Sequence, residues 1–357
     1  MTKTASFRTL FSLALAAPIA LTALWTPVFA TEKPSMDSNS ETPSIAVAKG
    51  NQPLTITRVS QQIQDASFNE IYAQCVLIEQ ETNLFLRHFG ETTAPLITPI
   101  NTDLHLRHLW YKFDAIFERM NALRRIHRIP AVSAVGLYPT TRIEVIYVWA
   151  QTQRMLTEMQ ILRRFLGIRA DISPPLLNSP NHADAPKQLI DVFNKLHQIQ
   201  NAWDIMLSGV LGFSVIFAET MRLNDDIDAI INHLAIIDRT APPPTPLSAP
   251  TYNDIIDAAF LMMTEVEHIQ LKLGIDSPDI APFHPITSAT VGDILSVLNL
   301  ALAEMQPIKA KVGLRRTITP PAEFYDHKKS IETLRLIGYL TAKLRQIRIT
   351  LREMAQP

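Results

Sequence analysis

One cysteine, Cys75, stands in 357 residues. A lone thiol rules out an internal disulfide, and with it the C-x-x-C spacing of redox and thiolate-zinc centres. Glycine is almost as scarce, at 10, whereas proline reaches 25. That combination suits helices joined by stiff connections better than sheets turned by tight hairpins. The chain has no glycine-rich phosphate loop, no G-x-S-x-G elbow and no H-E-x-x-H, so the spacings of nucleotide, serine-hydrolase and zinc-protease chemistry are missing. Neither sign of charge dominates: 33 basic residues face 34 acidic ones, which removes the basic footprint expected of a nucleic-acid binder. Charged residues make up only 19% of the chain, so Gln, Asn, Thr and Ser must cover part of the solvent face.

What is present is a repeated apolar rhythm. Eight stretches place an apolar residue at alternating steps of three and four. The first runs through Ile71, Cys75, Ile78 and Phe85, the fifth through Ile216, Leu223, Ile227 and Ile230, and the last through Ile337, Leu340, Leu344 and Ile347. A mean repeat near 3.5 keeps one stripe facing a partner helix, and each stripe lasts about three heptads, a length suited to a bundle. Extra apolar residues beside the stripe, such as Trp110 and Phe117, widen the buried face. The expected fold is all-α, a bundle or short array of antiparallel helical hairpins with about eight long helices and heptad-type seams. Cys75 sits on a seam and reads as a buried structural thiol.

Residues 1–30 read as an export signal. Lys3 and Arg8 give a positive start, an apolar run follows, and Val28 and Ala30 supply the small residues that a signal peptidase accepts, so cleavage is expected after Ala30. No later stretch reaches the roughly 20 apolar residues needed to span a bilayer. Residues 31–66 are rich in Ser, Thr, Pro, Asn and Lys and read as a disordered tether.

A hairpin unit is expected to occur three times. Ser67 with Glu70, Thr141 with Glu144 and Thr251 with Asp254 have the capping-box spacing of a helix start. Each segment then reaches a glycine, Gly90, Gly167 or Gly274, expected to end the helix in the left-handed conformation. Second helices are expected near Asp103, Asp191 and Asp293. Additional helices are expected over 213–237 and 322–354. The proline-rich run 241–250 is the expected linker between a bundle at 67–240 and another at 251–357, a single continuous array being the alternative.

Glu81, Glu158 and Glu265 each stand nine residues before those glycines and are expected to pair with basic residues on neighbouring helices. Two spacings bear on metal binding. Glu265 and His268 form one E-x-x-H, but a di-iron carboxylate bundle needs two such pairs and the chain has one. His105 and His108 lie one turn apart and could ligate zinc or copper with help from another helix; the simpler reading is two polar residues at a helix start. Basic clusters at Arg119 to Arg128, Arg163 to Arg169 and Lys343 to Arg352 close helices, where positive charge complements exposed carbonyls.

No residue is assigned a catalytic, cofactor-binding or metal-ligating role. The sequence reads as an exported, non-enzymatic helical protein, periplasmic or secreted, that acts in protein–protein interaction or scaffolding in the bacterial cell envelope. The alternative is a periplasmic binding or sensing protein that holds a small apolar ligand or a metal between helices.

Overall fold

The computed structural model describes residues 67–91, 97–133, 135–169, 185–284 and 288–354. The export signal and the tether expected before Ser67 lie outside the described residues. Among those described there are eight α-helices, one short 3-10 turn and no strand. The helices are α1 (Phe68–His88), α2 (Leu106–Ile126), α3 (Val145–Phe165), α4 (Leu189–Met206), α5 (Phe213–His233), α6 (Tyr252–Leu273), α7 (Val291–Val312) and α8 (Ser330–Met354).

The stripes read from the sequence are the seams that pack. Ile71, Cys75, Ile78 and Phe85 of α1 are fully buried, as are Met155, Met159 and Leu162 of α3 and Ile337, Leu340 and Ile347 of α8. α2 and α7 differ from the rest because they are buried almost all round, charged residues included.

The helices form two rings of four. α1 and α2 each pack on α3 and α4; α5 and α6 each pack on α7 and α8. α1 and α2 therefore lie across their ring from each other, as do α3 and α4, rather than side by side as hairpins. Only the third expected hairpin, α6 with α7, packs as an adjacent pair. The rings join through α2 against α7, with a lighter contact of α4 on α7. The described residues belong to one compact unit. The run 241–250 thus does not separate two cores: α5 precedes it yet packs on α7 and α8, and the change of ring falls at the short turn between α4 and α5.

Helix ends show where local chemistry decided the outcome. Ser67 with Glu70 and Thr251 with Asp254 close reciprocal capping boxes, and Thr290 with Asp293 does the same for α7. Thr141 does not cap α3. Its N–H is tied to the Tyr138 carbonyl at 2.9 Å, and the helix starts after Glu144. α2 starts after His105 rather than near Asp103. Gly90, Gly167 and Gly274 adopt φ of 87, 67 and 63°, as expected of left-handed helix ends.

α8 begins at Ser330, eight residues after the expected start at Ala322. The preceding stretch stays non-helical because its polar groups are taken by other helices. Arg222 donates to the Pro320 carbonyl at 2.8 Å, and the Lys328 N–H donates to Ser214 at 3.0 Å. Residues 314–329 thus form a strap laid over α2, α5 and α7.

Candidate functional site

The most unusual feature is a buried polar seam where the two rings meet. It follows α2 from Arg107 to Arg119 and is completed by α4, α5, α7 and the strap.

At the start of α2, His108 Nδ1 accepts from the His105 N–H at 2.7 Å. The other ring nitrogen, Nε2, must therefore carry the proton that it shares with Glu304 in a short hydrogen bond. Glu304 is wholly buried and also accepts the Arg107 guanidinium through two bonds, at 3.1 and 3.2 Å, and the Gln270 amide. Burial would raise the Glu304 carboxyl, but its hydrogen bond from His108 and the neighbouring positive charge of Arg107 hold it well below the usual carboxylate range. Burial also depresses His108, which favours the neutral ring.

One turn further, the strap enters. Thr319 Oγ1 receives the Lys309 ammonium at 2.8 Å and the Gln306 amide at 2.9 Å, and donates to Asp226 at 2.7 Å. Tyr111 Oη closes the group on Gln306 and lies 3.4 Å from Thr319. Beside it, Arg222 bridges Asp114 at 2.7 Å and Glu219 at 3.1 Å. Glu118, one turn along α2 from Asp114, forms no ion pair among the described residues. Burial, then the charges of Glu219 and Asp114, push its carboxyl up to about 8.

The opposite flank of α2 carries Lys112, which donates to Gln200 at 2.8 Å and lies 3.3 Å from His197 Nδ1. Burial and the nearby Arg119 charge lower its ammonium to about 7. Arg119 itself is paired with Asp204 at 2.8 Å.

Two cavities open along the seam. One, of about 300 Å³, lies between α2 and the 135–137 and 318–321 stretches, with Tyr111, Asp114 and Arg222 in its wall. The other, of about 400 Å³, opens at the N-terminal ends of α2 and α4 and includes Arg107, Tyr138, Ile143 and Gln306.

The residues singled out from the sequence occupy structural posts. Glu81 pairs with Arg163 at 2.9 Å, Glu158 with Arg124 at 2.7 Å, and Glu265 with Arg345 at 2.7 Å and Arg348 at 2.9 Å. Each glutamate joins two helices, as its recurrence suggested, and the pairs use much of the basic clusters. His268 stands 3.9 Å from Glu265 and is half exposed, while both Glu265 oxygens face arginines. His105 and His108 meet as a helix start, with both His108 nitrogens engaged. Among the described residues no group of three or more His, Cys, Asp or Glu side chains is arranged to hold a metal. Cys75 is fully buried, and burial raises its thiol.

Sequence reasoning did not single out Asp114, Glu219, Arg222, Asp226, Glu304 and Lys309. A signal existed: α7 is apolar on nearly every side, so Glu304 and Lys309 had no solvent face to occupy.

No protein-family model, curated protein or solved structure matches this chain. The site therefore rests on its own geometry: a set of charges that neutralise one another across a seam, flanked by two clefts.

Proposed function

We propose that the chain is exported and acts in the cell envelope as a non-enzymatic interaction protein. In this reading the two rings are a rigid support, and a protein partner docks on the face made by the 135–139 stretch and the strap. The observation that carries it is the gathering of exposed apolar side chains there. Val135, Tyr138, Ile318 and Phe324 are all exposed, and Val135 and Ile318 border the same cleft. Exposed apolar groups from two separate connections that meet at one cleft, as Val135 and Ile318 do, are a mark of a docking face. The mutual pairing of Asp114, Glu219, Arg222, Asp226 and Lys309 supports a holding role for the seam, because each charge is already occupied by a neighbour.

The export half of the proposal rests on the charge and apolar pattern of residues 1–30. No described helix is long and apolar enough to cross a membrane. The test is site-specific crosslinking in cells. A photoreactive amino acid at Val135 or Phe324 should capture one envelope protein, whereas the same group at Leu271, exposed on α6, should not. Equal capture from all three positions, or an intact product that stays in the cytosol, overturns the proposal.

A further inference from the structure

We propose that the cleft of about 400 Å³ at the start of α2 binds an amphipathic carboxylic acid. Its volume lies in the range of roughly 300–1,000 Å³ that small-molecule sites occupy. Its walls are two-sided in chemistry. Leu104, Leu137, Ile143, Leu189 and Pro307 supply an apolar lining contributed by α4, α7 and two connections. The polar end is built on Arg107.

Arg107 has five N–H donors, and only Nε and Nη2 are directed to Glu304. Nη1 forms no hydrogen bond among the described residues, and the side chain keeps 18% of its surface exposed. Glu304 does not compete for the remaining donors, since it is already surrounded by Arg107, His108 and Gln270. The same end of the cleft holds the first turn of α2, which has no acidic residue. The N–H groups of Leu106 and Arg107, lacking acceptors within the helix, add positive potential there.

Two further side chains in the wall can donate to a carboxylate. The hydroxyls of Tyr138 and Thr141 have no partner among the described residues. No carboxylate lines the cleft to repel an anion. A carboxylate on Arg107 Nη1 with its alkyl or aryl body on the apolar wall satisfies both ends. An ammonium head has no carboxylate to meet, and a neutral alcohol leaves the guanidinium edge unused.

The probe is decanoate, titrated calorimetrically into the full chain below its micelle threshold, beside decanol, decyltrimethylammonium and acetate. Decanoate should bind saturably at one site, with the other three at least tenfold weaker. Ile143→Trp, which fills the cleft from its apolar wall and alters no charged residue, should abolish binding, and Arg107→Lys should weaken it at least tenfold. Should Arg107→Lys unfold the chain by circular dichroism, Ile143→Trp decides alone. Equal affinity for decanol and decanoate, absence of decanoate binding, or decanoate binding unchanged in Ile143→Trp overturns the proposal. The docking face stands or falls separately, because its crosslinks are read at Val135 and Phe324.

Discussion

Lys309 reaches Asp226 at 2.7 Å with both side chains out of water. Burial pushes the Asp226 carboxyl up, against the pull of Lys309 and Thr319, and the Lys309 ammonium down, against the pull of Asp226. Removing one partner leaves a buried charge with no counterion, at about 3–5 kcal/mol. Lys309→Met is therefore expected to destabilise the chain by that amount in urea denaturation. Pairing it with Asp226→Leu should recover part of the loss. A single-variant cost below about 1 kcal/mol would show that water already reaches the pair.

Glu118 gives the seam a pH dependence. Its carboxyl is pushed from the ordinary 4.5 up to about 8, so the folded chain keeps a proton that the unfolded chain releases. Across that window the native state binds more protons, and stability falls as pH rises. Glu118→Gln removes this term. The variant should match the wild type near pH 4, and its melting-temperature advantage should grow up to about pH 8 and then level off. A constant difference across that range contradicts the assignment.

Lys112 acts in the opposite sense at higher pH. Its ammonium is lowered from 10.5 to about 7, so between those values the unfolded chain binds more protons and stability rises with pH. Lys112→Met also leaves Gln200 Oε1 without its donor, a pH-independent cost. Relative to wild type, then, the variant should look best below pH 7 and steadily worse toward pH 10.5. Thermal melts at three pH values suffice to read the trend.

The helices were legible because burial and periodicity are the same fact seen twice: a seam such as Val192, Leu196, Ile199 and Trp203 has one solution in a water-facing chain. The glutamate pairings were legible for a similar reason, as each copy meets an arginine across the same kind of helix contact. Ring membership was not. Nothing in α5 itself says whether its stripe turns back to α4 or onward to α7, and the prolines of 241–250 suggested a break that packing does not respect. The polar seam was hidden because its members are far apart in sequence: Asp114 and Arg222 become neighbours only through the fold. Residues 322–329 read as helix because they hold no strong breaker, whereas the Lys328 N–H is taken by Ser214 of α5 and the strap just before them is anchored at Thr319 by α7 and at Pro320 by α5.

Gly136 and Ile318 tie the strap to the 135–139 stretch. A Cβ at position 136 would stand 2.2 Å from Ile318 Cγ2, a separation that forces movement. Gly136→Ala should destabilise by about 1–3 kcal/mol, the usual cost of overpacking. In an Ile318→Ala background the obstructing methyl is gone, and the same change should be nearly neutral. A double-mutant cycle reads the coupling directly. Additive effects would mean that the strap yields without strain.

Ala235 ends α5 in a left-handed conformation, φ 50°, that favours glycine. The turn is a closed one: Ala235 N–H donates to Asn232 at 3.2 Å and Ile236 N–H to Ile231 at 3.0 Å, so the backbone cannot relax without losing helix-ending bonds. The Ala235 side chain is exposed, and removing its methyl sacrifices no core contact. Relief of the backbone cost, about 1 kcal/mol or somewhat more for an L-residue held there, competes with the greater freedom glycine gives the unfolded chain, about 0.4–1 kcal/mol. The first term is the larger, so Ala235→Gly is expected to raise stability by a few tenths of a kcal/mol to about 1 kcal/mol. Gly274→Ala, at φ 63°, is the mirror experiment and should lower it by a similar amount. Chemical denaturation of both variants checks the pair. If both changes are destabilising, residue 235 reaches its conformation through the α5 end bonds at no backbone cost, and the strain argument fails.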